Sequence, residues 1–342
     1  MRIRRYLIWS VSGILGLTLL ATATLYWASR SETLLGWGVD RIAASLPCTL
    51  LVEGLQGAFM EPLAVDYIVC ENADFRVEAR KLSLVWSPLL LITRGQIEVL
   101  SLRAGMVSLM SKSTSSEPLT VPQDISVPVA IDVKQIEIGS ILVGKGDNTT
   151  EVNQLSASYS GDKRSHHLTV HHITSEWGQA RLDVTIGASA SLPVSAQIHI
   201  DSDYVETWPV NADIQLTGEL QQLSAHLQVN AGTLPLSGVV VLAPFDPAPV
   251  VSIVANVADI DVADFAPGLP HTTLSAEIQA RVVDGSTLTG TLHAENSEPG
   301  TLDKQRLPVR VMDTNFELDT NSLRLPMVRV DLGPAGQISG NL

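Results

Sequence analysis

Taken by alternate residues, the stretch Leu274 to Val283, LSAEIQARVV, falls into two sets. Leu274, Ala276, Ile278, Ala280 and Val282 are apolar; Ser275, Glu277, Gln279 and Arg281 are polar. A period of two is the signature of a β-strand with one dry and one wet face. The alternation returns from about residue 50 onward, in runs such as RLDVTIGASA, VSAQIHIDSD, NADIQLTGEL, LSAHLQVNAG, LTGTLHAEN and RLPMVRVDL. Little of the chain has the 3.6-residue period that a covering helix would show. Each strand therefore brings an apolar face that something other than a helix must shelter.

The runs follow one another at roughly 8 to 14 residues, with Gly, Pro, Asn and Asp between them. Such short connections imply an antiparallel meander. An immunoglobulin-like sandwich would close on itself every ~100 residues, and the only boundary composition offers is the Ser, Thr and Pro-rich stretch SKSTSSEPLTVPQD. An outer-membrane barrel needs strands of about 9 to 11 residues with aromatic girdles. The runs here read shorter, and aromatic residues are 5% of the chain. What remains is a long, curved, open antiparallel sheet whose apolar face lines a groove.

Charge narrows the partners. The 342 residues carry 36 acids against 22 bases, a net charge of −14. Binding to nucleic acid needs clustered Lys and Arg to meet phosphate, so nucleic acid is not an expected partner.

The N-terminus reads as a membrane anchor. Arg2, Arg4 and Arg5 precede an uncharged stretch from Tyr6 to Ser29. Its length exceeds the 7 to 15 apolar residues of a secretory signal and matches the roughly 20 that span a bilayer. Tyr6, Trp9, Tyr26 and Trp27 lie near its ends, where interfacial aromatics belong. The expectation is a cytoplasmic tail over 1–5, one transmembrane helix over 6–28, and everything after it across the membrane by the positive-inside rule. A cleaved signal with Ala21-Thr22-Ala23 as its processing site is the competing reading. Residues 29–47 follow with Leu35, Val39, Ile42 and Leu46 at helical spacing and Pro47 as a stop. They predict a short juxtamembrane amphipathic helix. An N-terminal β segment over 48–110, a flexible linker or loop over 111–128, and a repeating β-groove over 129–342 complete the expected organisation.

Cys48 and Cys70 lie in the exported part, where oxidation is permitted. They are a candidate disulfide, or two free thiols.

One stretch carries a family resemblance. Val52 to Met110 resembles the N-terminal region of the TamB family, the translocation and assembly module subunit. The matching positions are Leu63, Val65, Asp66 and Tyr67, then Leu82, Leu84, Trp86, Ser87, Pro88, Gly95, Leu100, Leu102 and Gly105. The stretch VANVADIDVADFAPGLPHTTLSAEIQARV is similar to that family's repeat, in which a short D.D...FAP..P link joins strands. The resemblance implies an inner-membrane protein of a Gram-negative envelope with its bulk in the periplasm. It also implies kinship with the AsmA-like and bridge-like lipid-transfer proteins. Family members are usually longer, with a C-terminal domain that meets an outer-membrane partner, TamA. This sequence stops at GQISGNL, which reads as mid-repeat, so a TamA-like contact would fall to a region not contained here.

On this reading the groove is lined by Leu182, Val184 and Ile186; Val194, Ala196, Ile198 and Ile200; Ala212, Ile214 and Leu216; and Leu227 and Val229. Leu274, Ala276, Ile278, Ala280, Val282, Leu288 and Leu292 continue it. Many inward positions are small, among them Ala188, Gly218, Ala231, Gly290 and Ala294, which leaves room that a closed core would fill. Two functions fit: conduction of phospholipid between the inner and outer membranes, or assistance to outer-membrane protein insertion and secretion with a TamA-like partner. No catalytic signature is present: G-x-S-x-G, the P-loop and H-E-x-x-H are all missing. The cluster HHLTVHH holds His166, His167, His171 and His172. In a strand, His167 and His171 stand about 13 Å apart, too far to share one ion. Neither a metal nor a cofactor is expected, bound phospholipid aside.

Overall fold

The computed structural model describes residues 48–341 apart from 113–120, 146–147, 190, 204–208, 233, 247–248, 265–267, 284–286 and 320–321, together with Gly36, Arg41, Ala43 and Leu46. The expected anchor over 6–28 lies outside the described residues. Of the expected amphipathic helix over 29–47, Gly36, Arg41 and Ala43 are helical, and the Leu46 N–H donates to the Ala43 carbonyl at 3.3 Å. Its other positions also lie outside the described residues. Among the described residues no helix is long and apolar enough to cross a membrane.

The chain is mainly β, in an open sheet rather than a closed one. It divides into two compact units, Met1–Thr114 with Val129–Ser160, and Ser115–Pro128 with Gly161–Leu342.

The first unit holds β1 (Thr49–Glu53), β2 (Leu63–Glu71), β3 (Phe75–Trp86), the helix α1 (Pro88–Arg94), β4 (Gln96–Ser111), β5 (Ala130–Lys145) and β6 (Asn148–Gly161). The stretch SPLLLITRG, expected only as a connection, forms α1. Pro88 presets the first helical φ, and Gly95 closes the last turn at φ 62°, a conformation that glycine adopts freely. β1 to β4 pair antiparallel in chain order. β4 and β5 run parallel, with Leu102 beside Ile136 and Ala104 beside Ile138, which corrects the all-antiparallel expectation. A parallel pair needs a crossover of a dozen or more residues, and the stretch from Lys112 to Val129 supplies it. That pairing is also why Val129–Ser160 belongs with the N-terminal strands. The expected boundary at residue 129 moves to Gly161.

Cys48 and Cys70 are bridged, with their Cα atoms 5.5 Å apart. The bridge ties the start of β1 to the end of β2, where Leu50 pairs with Cys70. Beside it Arg76 donates to Glu71 at 3.2 Å, to the Tyr67 hydroxyl at 3.2 Å and to Glu78 at 3.3 Å. Lys112 also reaches Glu71, and its hydrogen bond is the main cause that holds the Glu71 carboxyl below the usual range.

The second unit is a meander. It comprises β7 (Ser165–Ser175), β8 (Gly178–Gly187), β9 (Pro193–Ser202), β10 (Val210–Glu219), β11 (Gln222–Ala231) and β12 (Leu234–Leu242). β13 (Val250–Ile260), β14 (Leu274–Val283), β15 (Thr287–Asn296), β16 (Val311–Leu318), β17 (Leu323–Asp331) and β18 (Gln337–Gly340) follow. Each pairs antiparallel with the next. Most strands have 9 to 11 residues, longer than their apolar runs suggest, so strand length is no argument against a barrel. The open pairing is the relevant observation.

Part of the expected linker belongs to this unit and is tied down. The Ile125 N–H donates to the Ala188 carbonyl at 2.9 Å, and His166 Nε2 lies 2.8 Å from the Ile125 carbonyl. Composition marked a loop correctly, yet its described end is held against β7 and the turn after β8. The link after β13 also departs from expectation. β13 continues to Ile260 through a bulge at Asp259, which takes φ 55°. Asp261 then organises the break. Its carboxylate accepts the Ala263 and Thr272 N–H groups at 3.1 and 2.8 Å and meets His271 Nδ1 at 2.8 Å.

Candidate functional site

In several strands of the second unit, among them β8, β10 and β14, chemistry and exposure alternate together. In β8, Gln179, Arg181 and Asp183 are exposed, while Ala180, Leu182 and Val184 are half-buried. In β14, Ser275, Glu277, Gln279 and Arg281 are exposed, and Ala276 and Ile278 are not. A strand alone has this property; whether neighbouring strands agree depends on register.

They agree. One row of cross-strand partners runs Leu182–Ile198–Ile214–Leu227–Gly238–Ala255–Ile278–Leu292. A second runs Val184–Ala196–Leu216–Ala225–Val240–Ile253–Ala280–Gly290–Phe316. A third runs Ile200–Ala212–Val229–Leu236–Val257–Ala276–Ala294–Met312. Ile186 pairs with Val194, Val282 with Leu288, and Leu274 with Ile260 and Asn296. Every residue expected to line the groove therefore falls on one face, and the rows bring them side by side. The rows span β8 to β16, which at about 4.8 Å per strand is on the order of 40 Å of continuous apolar surface.

Sequence reasoning missed β12 and β13, which supply Leu236, Val240, Ile253, Ala255 and Val257 to the same face. The run Val239-Val240-Val241 hides the alternation, and a register irregularity between Val241 and Leu242 shifts its phase. It also missed Phe316, whose ring lies over Gly290. A Cβ at Gly290 would stand 2.7 Å from the Phe316 ring and 2.9 Å from the Ala280 Cβ. Some of the room left by small residues is thus already filled.

Burial on this face is divided by size. Ala196, Ala212, Ala225 and Ala280 are at most 8% exposed, because taller neighbours cover them. The tall residues themselves, including Leu182, Ile198, Ile214, Leu227, Ile278 and Leu292, are only half-buried. A packed core would seal them. The face of an open sheet gives this intermediate cover.

The opposite face is ionic. His199 stands between Asp213 at 2.8 Å and Asp201 at 3.2 Å, and Arg310 meets Asp331 at 2.6 Å. His293 lies 2.7 Å from Asp313, and that hydrogen bond is the main cause that lifts its imidazole above the ordinary range. Such polarity keeps the second face in water. Two depressions, of about 560 and 670 Å³, open on the sheet. The first touches Ile253, Ala280, Gly290 and Phe316, the second Val170, Leu182, Ile198 and Ile214, and both also touch polar residues.

The histidines do not converge. His167 lies against Thr185, Thr169 and Asp183, His172 against Thr174, and His166 against the Ile125 carbonyl. Among the described residues no group of three or more His, Cys, Asp or Glu could hold a metal ion.

No protein-family model matches this chain, and no curated protein or solved structure does. The arrangement offers rows of apolar side chains, polar on their back, bordered by the buried Thr314 and Asn296.

Proposed function

We propose that this chain is an inner-membrane-anchored periplasmic protein of the translocation and assembly module type, whose apolar β-groove conducts phospholipid between the inner and outer membranes. The supporting observation is the set of register-matched rows from β8 to β16, apolar throughout and half-buried at their tall positions. A hydrocarbon core is about 30 Å thick, so the acyl chains of one leaflet span roughly 15 Å. Rows on the order of 40 Å exceed a single acyl chain more than twofold, as a path rather than a pocket should. Acyl chains would lie on the rows and the headgroup would stay at the open side, because burying an ionised group in an apolar medium is costly. The span over 6–28 would hold the first strands at the inner membrane. Purified chain should carry phospholipid in organic extracts read by mass spectrometry; lipid-free protein, recovered without detergent exchange, counts against the conduit.

A further inference from the structure

α1 is built with its apolar side outward. Leu89 and Ile92, three residues apart and so on one side of the helix, are 62% and 65% exposed. Its only charge is Arg94 in the last turn, which has no ion pair among the described residues, and the first turn holds no acid. The loop after β1 reaches the same strand end: the Phe59 ring meets Trp86, the last residue of β3, edge-on at 4.9 Å, and the adjoining Met60 is 45% exposed. Three exposed apolar side chains and one unpaired cation thus gather at one end of the first unit. An aqueous surface gains nothing from them; a lipid surface buries the apolar groups and offers phosphate to the arginine.

We propose that α1 and the loop after β1 dip Leu89, Ile92 and Met60 into the surface of the membrane crossed by residues 6–28, forming a second point of attachment for the first unit. The inference rests on the anchored reading given above. The connection from span to first strand, residues 29–47, decides the occupant, because it keeps this unit beside a bilayer. Those 19 residues reach about 28 Å as a helix and about 65 Å extended. They deliver the chain to Cys48, at the row where Glu71 pairs with Arg76. α1 starts just beyond Trp86, ten residues further along β3, or about 33 Å. Strands lying along the membrane surface therefore bring tether and helix to the same plane, one at each end of the strands. Two contacts so spaced would stop the unit from rotating about its tether and hold the start of the sheet against the lipid.

The test uses the full chain in vesicles of phosphatidylethanolamine and phosphatidylglycerol. A photoreactive side chain is placed at Leu89, at Ile92, or at Leu302, which is 67% exposed in the second unit and serves as the control. Adducts are read by mass. Lipid adducts several-fold more abundant at Leu89 and Ile92 than at Leu302 are expected, and Leu89→Asp should reduce the adduct formed from Ile92 without changing the melting temperature. Protein adducts in place of lipid would assign the helix to a partner or a second copy and overturn the inference. Equal labelling at all three positions also overturns it. If the wild-type chain withstands alkaline extraction yet labels no lipid, the inference fails and the anchor stands. If the chain is extracted, both fail.

Discussion

Ile278 lies near the far end of the first apolar row, between Ala255 and Leu292, and Ile278→Asp separates an open groove from a closed core. Full burial of an isoleucine stabilises by about 1.5 to 3 kcal/mol. Half-buried as it is, Ile278 contributes about 1 to 2 kcal/mol. A carboxylate that can turn toward water along the open side adds about 1 kcal/mol, the low end for an imperfectly solvated polar group. The expected loss is therefore about 2 to 3 kcal/mol. For a unit of this size each kcal/mol moves the melting point by about 2 to 4 °C, so a drop of roughly 4 to 12 °C should be seen in calorimetry. In a sealed core the same change would exceed about 4 to 5 kcal/mol, enough to unfold many domains. Bound lipid, measured by mass spectrometry on the same samples, should be lost. The wet-face control is Thr291→Asp, since Gln279 already donates to Glu277 at 2.6 Å and a second carboxylate there would repel it. Thr291→Asp should keep both lipid and melting point. Outright unfolding by Ile278→Asp, or a folded variant with full lipid content, would refute the groove.

Replacing both Cys48 and Cys70 by serine opens a loop of sequence separation 22 and should cost about 3 kcal/mol by the chain-entropy argument, visible in urea titrations that wild type repeats only under reductant. Gly290→Ala should destabilise by about 1 to 3 kcal/mol, since the new methyl would stand 2.4 Å from the Gln279 carbonyl oxygen as well as against Phe316; an unchanged urea midpoint would mean that the ring and strand yield freely. Asp261 is held below the ordinary carboxylate range, chiefly by its hydrogen bond with His271. A depressed carboxyl contributes stability above its unfolded value, about 4, that is lost as pH falls through the lower folded value. Asp261→Asn should therefore lower stability at pH 6 and matter progressively less in acid; a gap between variant and wild type that widens below pH 4 would contradict this. For the anchor, a reporter fused after Leu46 should be active only if it functions in the periplasm, and a mature N-terminus at Thr24 would show cleavage instead.

What could be read without coordinates was whatever depends on a single strand. Side-chain direction alternates along any extended backbone, so Leu182, Ile198, Ile214, Ile278 and Leu292 could be assigned to a dry face from their polar neighbours alone. Turn residues likewise marked where most strands end. The break after β13 was legible because Pro267 and Pro270 cannot donate to a ladder. Its beginning was misplaced, because a bulge at Asp259 carries the strand two residues further than the Pro and Asp content suggests. Everything that joins one strand to another needed the tertiary structure. Register decides whether dry faces coincide, and a slip of one residue would have sent Ile278 to the wet side without any change in its own strand. The parallel β4–β5 pair is equally invisible locally, since alternation is the same in both directions and only the path of the crossover sets direction. The covering of Gly290 by Phe316, the bridging of Cys48 to Cys70 and the outward face of α1 share that origin: each depends on where a distant part of the chain comes to rest, which no local period encodes.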